Sequence, residues 1–408
     1  MASRKIALYG NFGTQNIGNE CTLQTVIENV KQRLPEAQIY CICSQPETVA
    51  RDHAIPAIPL SSRVDRGLQR PKRRSKAMKA ARILYYTLPM ELLDLYRSWR
   101  RLRGTTELVV TGTGVLEDDD AETRSWMMSL LRWTVSARLR GARVVFLSVG
   151  AGPIPSRFAR TVTKLIFGLA HYVSYRDTTV KQYMESIGLD TARHRVYPDV
   201  AFGLSLTQAA AASPGDSRSR RVGVGVVDAT KFETDEHYRA YLWKLSTFVL
   251  WLLDRGYDIR VIHGDALFDR APLEDFISVL RERGIAPLDT RVVVPDIHDV
   301  RDLLRVMDDV SIVVASRYHN IILNLALGKP AIGLSYHFKF SALLADFGMA
   351  DYCREVRAFD PEDLARRFEA MVAQIPSLER EIRTKTSEMR TKLDEQYRLI
   401  LGLGAPAA

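Results

Sequence analysis

Cysteine is scarce: 408 residues hold four, at Cys21, Cys41, Cys43 and Cys353. So few thiols exclude a disulfide framework and point to a reducing, cytoplasmic setting. Cys41 and Cys43 alternate along an expected strand and lack CxxC spacing, and no His/Cys cluster offers a metal a site, so none is expected. Long apolar runs are missing as well. The best, residues 242–253, is short and is interrupted by Lys244, which argues against a membrane-spanning helix. The first residues run from Met1 into an expected strand without the apolar core of a secretory signal. The glycine-rich turns match neither the dinucleotide fingerprint nor the Walker loop. The net charge is not spread evenly. The stretch that Arg63 opens and Arg103 closes holds 13 Lys/Arg against 3 Asp/Glu. Its net of +10 exceeds the whole-chain +9, so the remainder sums to about −1. The basic character is local and does not make the chain a nucleic-acid binder.

What is present is an alternation of short apolar runs with helical periods, in a chain long enough for two or three domains. Strands are expected at 5–9, 38–43, 107–111 and 144–149, with helices over 22–34 and 126–138 between them. Residues 206–220 are small, polar and aperiodic, and read as a linker. A second alternation follows, with strands at 222–227, 258–262, 291–294, 310–314 and 331–335. A charged helical segment over 361–408 closes the chain. The expected fold is therefore α/β: two Rossmann-like doubly wound domains, 1–205 and 221–360, facing a cleft. In such sheets ligands sit at the carboxyl ends of the strands.

The motifs cluster at those strand ends. "LYGNFGTQNIGNE" follows the first strand, with permissive turns at Gly10 and Gly18. Either it is a tight strand–helix turn or its backbone meets a ligand, with Asn11 in the loop, Asn16 and Asn19 able to hydrogen-bond a sugar hydroxyl, and Glu20 as a base or a cap. "VVTGTGVLEDDD" places Gly112 and Gly114 after another strand, and its acidic trio reads as a solvated helix start. "LSVGAGPIPS" reads as a shaped turn. In "YVSYRDTTV", Arg176 and Asp177 stand where a strand gives way to a helix; 22 residues after Asp177, "YPDVAF" sets Asp199 at another strand end. A structural Arg–Asp pair is the plain alternative there. "SRYHNIILNLALGKPAIGLSYHFKF" is the most informative. It ends a doubly buried strand with Arg317 and His319 two positions apart and returns at once to apolar helix. A guanidinium at such a corner suits a carboxylate or phosphate, and an imidazole beside it can deliver a proton near neutrality. Lys339 follows at the next strand end as a second candidate for phosphate.

Together these motifs resemble the polysaccharide pyruvyl transferase family, over nearly the whole chain. The resemblance implies a GT-B-like pair of domains, the first on the acceptor side and the second on the donor side. It implies transfer of the enolpyruvyl carbons of phosphoenolpyruvate to a sugar of an exopolysaccharide or its lipid-linked precursor, usually as a cyclic ketal. Phosphoenolpyruvate is then a donor substrate, and no cofactor is expected. Carried over by motif, Arg176 and Arg317 hold the donor's phosphate and carboxylate and His319 is the general acid. Asp199 matches an acidic family position and Tyr318 stands where an aliphatic residue is usual, its backbone still able to meet the donor. Asn19 stands where the family often has Asp, and Thr113 where a third glycine is common. The rival enzyme is a GT-B glycosyltransferase using a nucleotide sugar; a non-catalytic glycan- or membrane-binding scaffold fits less well, because Arg176, Arg317 and His319 are all present. The basic stretch is either a solvated insertion in the first domain or a peripheral contact with the anionic inner face of the membrane.

Overall fold

The computed structural model describes residues 4–60, 88–112, 116, 121–206, 220–265, 269–285 and 290–403. The expected linker, apart from its end residues, lies outside them, as do Gly114, the acidic trio and residues 63–87 of the basic stretch. The chain forms two compact units. Unit 1 comprises residues 1–14, 22–200 and 395–408; unit 2 comprises 15–21 and 201–394.

Unit 1 is built on seven parallel strands: β1 (Lys5–Tyr9), β2 (Gln38–Cys43), β3 (Ala57–Pro59), β4 (Glu107–Thr111), β5 (Arg143–Val149), β6 (Tyr172–Tyr175) and β7 (Arg195–Val196). Their order is β3-β2-β1-β4-β5-β6-β7. The strands are near-continuous apolar runs because helices cover both faces; every residue of β4 is buried. The helices are α1 (Ile17–Arg33), α2 (Pro46–His53), α3 (Leu88–Arg101), α4 (Ala121–Leu139), α5 (Arg157–Gly168) and α6 (Thr178–Ser186). The chain steps outward from β1 to β3, then restarts beside β1 at β4 and steps outward the other way. The topological switch point is therefore the gap between β1 and β4.

Unit 2 repeats the plan with β8 (Arg221–Gly225), β9 (Asp258–Ile262), β10 (Val292–Val293), β11 (Ile312–Ala315), β12 (Ala331–Ser335) and β13 (Cys353–Glu355), in the order β10-β9-β8-β11-β12-β13. Every pair is parallel. The switch point falls between β8 and β11, so the expected Arg317–His319 corner stands beside it. The helices are α7 (Asp235–Asp254), α8 (Arg270–Glu282), α9 (Val300–Asp309), α10 (Tyr318–Ala326) and α11 (Lys339–Asp346). The charged segment expected after residue 361 is two helices, α12 (Pro361–Ala373) and α13 (Ile375–Leu401). Asp360 caps the first through the Asp363 N–H at 2.9 Å. Pro376, tolerated only in a first turn, starts the second.

The first turn of α1 groups with unit 2, and the last turns of α13 group with unit 1. A buried polar network ties those last turns to the unit 1 sheet. Ser148, at φ +46° where β5 slips register against β6, donates its N–H to Ser174 Oγ at 2.8 Å. Gln396 Nε2 donates to the same oxygen at 2.7 Å, and the Ser148 hydroxyl bonds Gln396 Oε1 at 3.2 Å. Such strain persists only where surrounding bonds fix it. Among the described residues no helix is long and apolar enough to cross a membrane.

Candidate active site

In unit 2, β11 ends at Ala315 and α10 starts at Tyr318, so Arg317 sits in extended backbone as the last residue before the helix. Its guanidinium does not reach outward alone. Nε donates to Asp269 Oδ1 at 2.9 Å and to Oδ2 at 3.2 Å, and Nη2 donates to Asp269 Oδ1. Asp228, just after β8, lies 3.6 Å from Nη2. Asp269 is fully buried, and its Oδ2 also accepts the backbone N–H groups of Gly264 at 2.8 Å and Asp265 at 3.0 Å. One carboxylate therefore fixes both the loop after β9 and one edge of the arginine fork. Burial works against the charge of Arg317, but Asp269, with Tyr336 and Asp228, outweighs it and raises its pKa above the ordinary value. The edge carrying Nη1 is not part of the clamp.

His319 is the second residue of α10, two positions after Arg317, and is half-buried. A Cβ added at Gly18 would lie 2.1 Å from His319 Nδ1 and 2.5 Å from Cγ, so the imidazole rests where only a glycine leaves room. Asn16 fixes that glycine. Its Oδ1 accepts the Asn19 N–H at 3.1 Å, capping α1, while its Nδ2 donates to Asp265 Oδ2 at 2.8 Å. The Ile17 N–H donates to Gly264 O at 3.0 Å and the Glu20 N–H to Asn16 O at 3.0 Å. The chain before the helix turns through Gln15 at φ +63°. Tyr318 is buried against Phe340, with ring centroids 5.6 Å apart, and Lys339 Nζ stands 5.2 Å from its ring centre. Beneath the corner, the hydroxyl of buried Tyr241 lies 3.4 Å from Ser316 Oγ, and burial pushes its pKa up to about 12. Asn16, Gly18, Asn19, Glu20, Arg317, Tyr318, His319 and Lys339 are thus all in unit 2.

Asp228, His263, Asp265 and Asp269 were not among the residues singled out in the sequence. Burial depresses the His263 pKa while Asp269, Asp265 and Asp296 pull it the other way. The signal was available: "VIHGD" is an apolar strand followed by glycine and an acid, the same pattern that marks the other strand ends.

Unit 1 holds the rest. Arg176 follows β6, with Asp177 at 3.7 Å and the buried Asp199 at 3.8 Å. Asp177 caps α6 through the Val180 N–H at 2.7 Å. A Cβ at Gly150 would lie 2.7 Å from Arg176 Cζ, so this glycine makes space for the guanidinium across the end of β5. Gly10 and Asn11 follow β1, and Gly112 follows β4, at this unit's own switch point. Ser44 donates to Asn11 Oδ1 at 2.8 Å, and a Cβ at Gly112 would come within 2.7 Å of Ser148 O.

A family model described as polysaccharide pyruvyl transferase matches residues 16–338. No curated protein matches. Solved structures similar to this chain include a UDP-GlcNAc 2-epimerase from Neisseria meningitidis bound to UDP-GlcNAc, at 11% identity and TM-score 0.60, covering 98% of this chain and 100% of that one. A glycosyltransferase from Rickettsia africae matches at 11% identity and TM-score 0.60, over 99% and 100%. An Anabaena protein in complex with UDP and glucose matches at 11% identity and TM-score 0.57, over 98% and 100%. At such identities the likeness shows the fold, the GT-B type of α/β architecture, and nothing of the substrate.

Proposed function

The chain belongs to the polysaccharide pyruvyl transferase family, and from that premise we propose that it moves the enolpyruvyl group of phosphoenolpyruvate onto a saccharide, closing a cyclic ketal across two hydroxyls. The acceptor we assign is an exopolysaccharide repeat or its lipid-linked precursor, met at the cytoplasmic face of the membrane, with the enzyme bound there peripherally. The observation that carries the donor assignment is the strand-end corner of unit 2. There a guanidinium clamped on one edge by Asp269 stands two residues from an imidazole seated on Gly18.

Phosphoenolpyruvate carries about three negative charges near neutrality, which suits a fixed guanidinium and a neighbouring lysine. Arg317 takes its carboxylate or phosphate through the Nη1 edge, Lys339 supplies a further positive charge, and the Tyr318 backbone lines the same corner. His319, as imidazolium, delivers a proton to the methylene carbon, and the adjacent carbon becomes cationic. A sugar hydroxyl adds to that carbon and loses its proton. The C–O bond to phosphate then breaks, a second hydroxyl adds, and the ring closes. Of the two hydroxyl protons, one balances the new methyl group and the other leaves with phosphate. The scheme needs no cofactor. Arg176 as a donor contact and Asp199 as a catalytic carboxylate keep the roles their motifs imply.

The test is donor choice. Incubation with an acceptor glycan and either phosphoenolpyruvate or a UDP-sugar should release inorganic phosphate from the first and no UDP from the second. The reverse outcome would make the protein a glycosyltransferase. His319→Ala should lower turnover about a hundredfold or more while the circular dichroism stays unchanged; a fully active variant removes His319 as the acid.

A further inference from the structure

Helix α3 leaves apolar side chains in the open. Its fully buried residues are polar, Asp94 and Ser98, and Met90, Leu95 and Trp99 are half-buried, while Leu92, Leu93 and Tyr96 are 58%, 40% and 54% exposed. A surface helix normally does the opposite. The arrangement is held in place by polar contacts to α4 and to the residue that follows it. Arg132 bonds Glu91 at 2.8 Å, and Arg140 donates to Trp99 O at 2.7 Å while its guanidinium lies 3.4 Å from the Trp99 ring centre. Trp99 in turn stacks on Tyr96.

The exposed apolar surface continues beyond α3. Helix α4 packs against both α3 and α5, so the three form one outer layer of unit 1. Leu139 at the end of α4 is exposed, as are Phe158 and Leu165, one heptad apart on α5. Of nine exposed large apolar side chains among the described residues, six lie on these three packed helices, a concentration on one layer of the kind that marks an interaction surface. Among its described side chains the exposed charges are basic. Arg97, Arg100, Arg101, Arg103, Arg138, Arg157 and Lys164 are exposed around it. The two acids of α3 are paired, Glu91 with Arg132 and Asp94 with Arg97.

We propose that the outer face of α3, α4 and α5 is an interfacial membrane-binding surface whose partner is an anionic phospholipid leaflet. Leu92, Leu93, Tyr96, Phe158 and Leu165 enter the headgroup boundary and the arginines meet the lipid charge. A second copy of the chain is the poorer occupant, because an isologous contact would set these arginines against each other. An anionic leaflet neutralises them and accepts the aromatic and leucine side chains. The inference rests on the peripheral-membrane part of the proposed function and not on the identity of the donor.

The full-length protein is sedimented with vesicles of phosphatidylglycerol and phosphatidylcholine, or of phosphatidylcholine alone. Binding is expected with the first at low salt and should weaken as salt rises. Leu92→Ser with Tyr96→Ser, and separately Phe158→Ser with Leu165→Ser, should each weaken it about tenfold, with the thermal midpoint unchanged because the side chains are exposed. Arg100→Glu with Arg101→Glu should do the same without touching the apolar groups. Three results would overturn the proposal. The first is no binding to anionic vesicles, or binding that all variants retain. The second is a variant that turns a dimer into a monomer in light scattering and leaves vesicle binding intact. The third is a matching loss of transfer to a water-soluble acceptor, which would place these residues in the catalytic machinery. Absence of transfer by the wild type would count against the donor assignment and leave the vesicle result standing.

Discussion

At the scale of single residues, glycines decide where the candidate charged side chains of each unit can lie. Gly18 leaves room for the ring of His319, and Gly150 leaves room for the guanidinium of Arg176. Gly18→Ala should therefore act on the chemistry and barely on the fold. The methyl group would meet His319 Nδ1 at 2.1 Å, and the ring, half-buried and at the start of a helix, turns away. A displacement of about 1 Å can cost on the order of a hundredfold in rate. The expected result is a loss of that order in kcat, with KM for the proposed donor, phosphoenolpyruvate, changed little and the thermal midpoint within a few degrees; an unchanged kcat would show that the contact does not position the ring. Arg317 and His319 were legible in the sequence because they follow an apolar run directly and precede a helix. Asp269 was not, since it lies 48 positions away and its role exists only once the ends of β9 and β11 share a sheet edge.

At the scale of elements, the alternation of strand and helix could be read almost strand for strand, because a parallel sheet covered on both faces needs unbroken apolar runs. Short or irregular pieces escaped. β3 and β13 are three residues each, too short for periodicity, and the bulge at Ser148 depends on partners in β6 and α13. Lys329, in a stretch that reads as a Gly-Lys-Pro turn, proves to be a helix terminator. It is buried, and its Nζ donates to Met307 O at 3.1 Å, Val310 O at 3.0 Å and Asp308 O, satisfying the last carbonyls of α9. Burial depresses its pKa, and Asp308 opposes that. Lys329→Met keeps the stem and removes the donor. Orphaning buried carbonyls costs about 1–3 kcal/mol, so the urea midpoint of unit 2 should fall visibly; a variant as stable as the wild type would show that water replaces the ammonium.

At the scale of the whole molecule, two doubly wound units were foreseeable, but the allegiance of short segments was not. Residues 15–21 cluster with unit 2 because Asn16 bonds Asp265 and Ile17 bonds Gly264, contacts that span about 250 residues of sequence. The same scale sets the response to acid. His171, His194 and His263 all have depressed pKa values, with burial as the largest cause in each. For His171 the arginines at 138 and 143 add to it; for His194 and His263 nearby aspartates oppose it. The folded state thus holds these rings neutral at pH values where the unfolded chain, with imidazoles near 6.5, already binds protons. Between the depressed values and 6.5 the unfolded state carries more protons, so stability rises with pH there and is lost as pH falls. Ordinary carboxylates titrate near 4 and contribute below this window. Urea midpoints should therefore be level from pH 8 to 7 and decline steadily from pH 6.5 to 5.5. His194 accepts or donates a hydrogen bond with Tyr175 at 2.8 Å, and His263 is half-buried at the end of β9. Replacing both with glutamine removes two of the three titrations while keeping polar side chains. The variant's decline should be distinctly shallower than that of the wild type, and a midpoint that stays constant or rises toward pH 5.5 in the wild type would mean that these rings accept their protons within the fold.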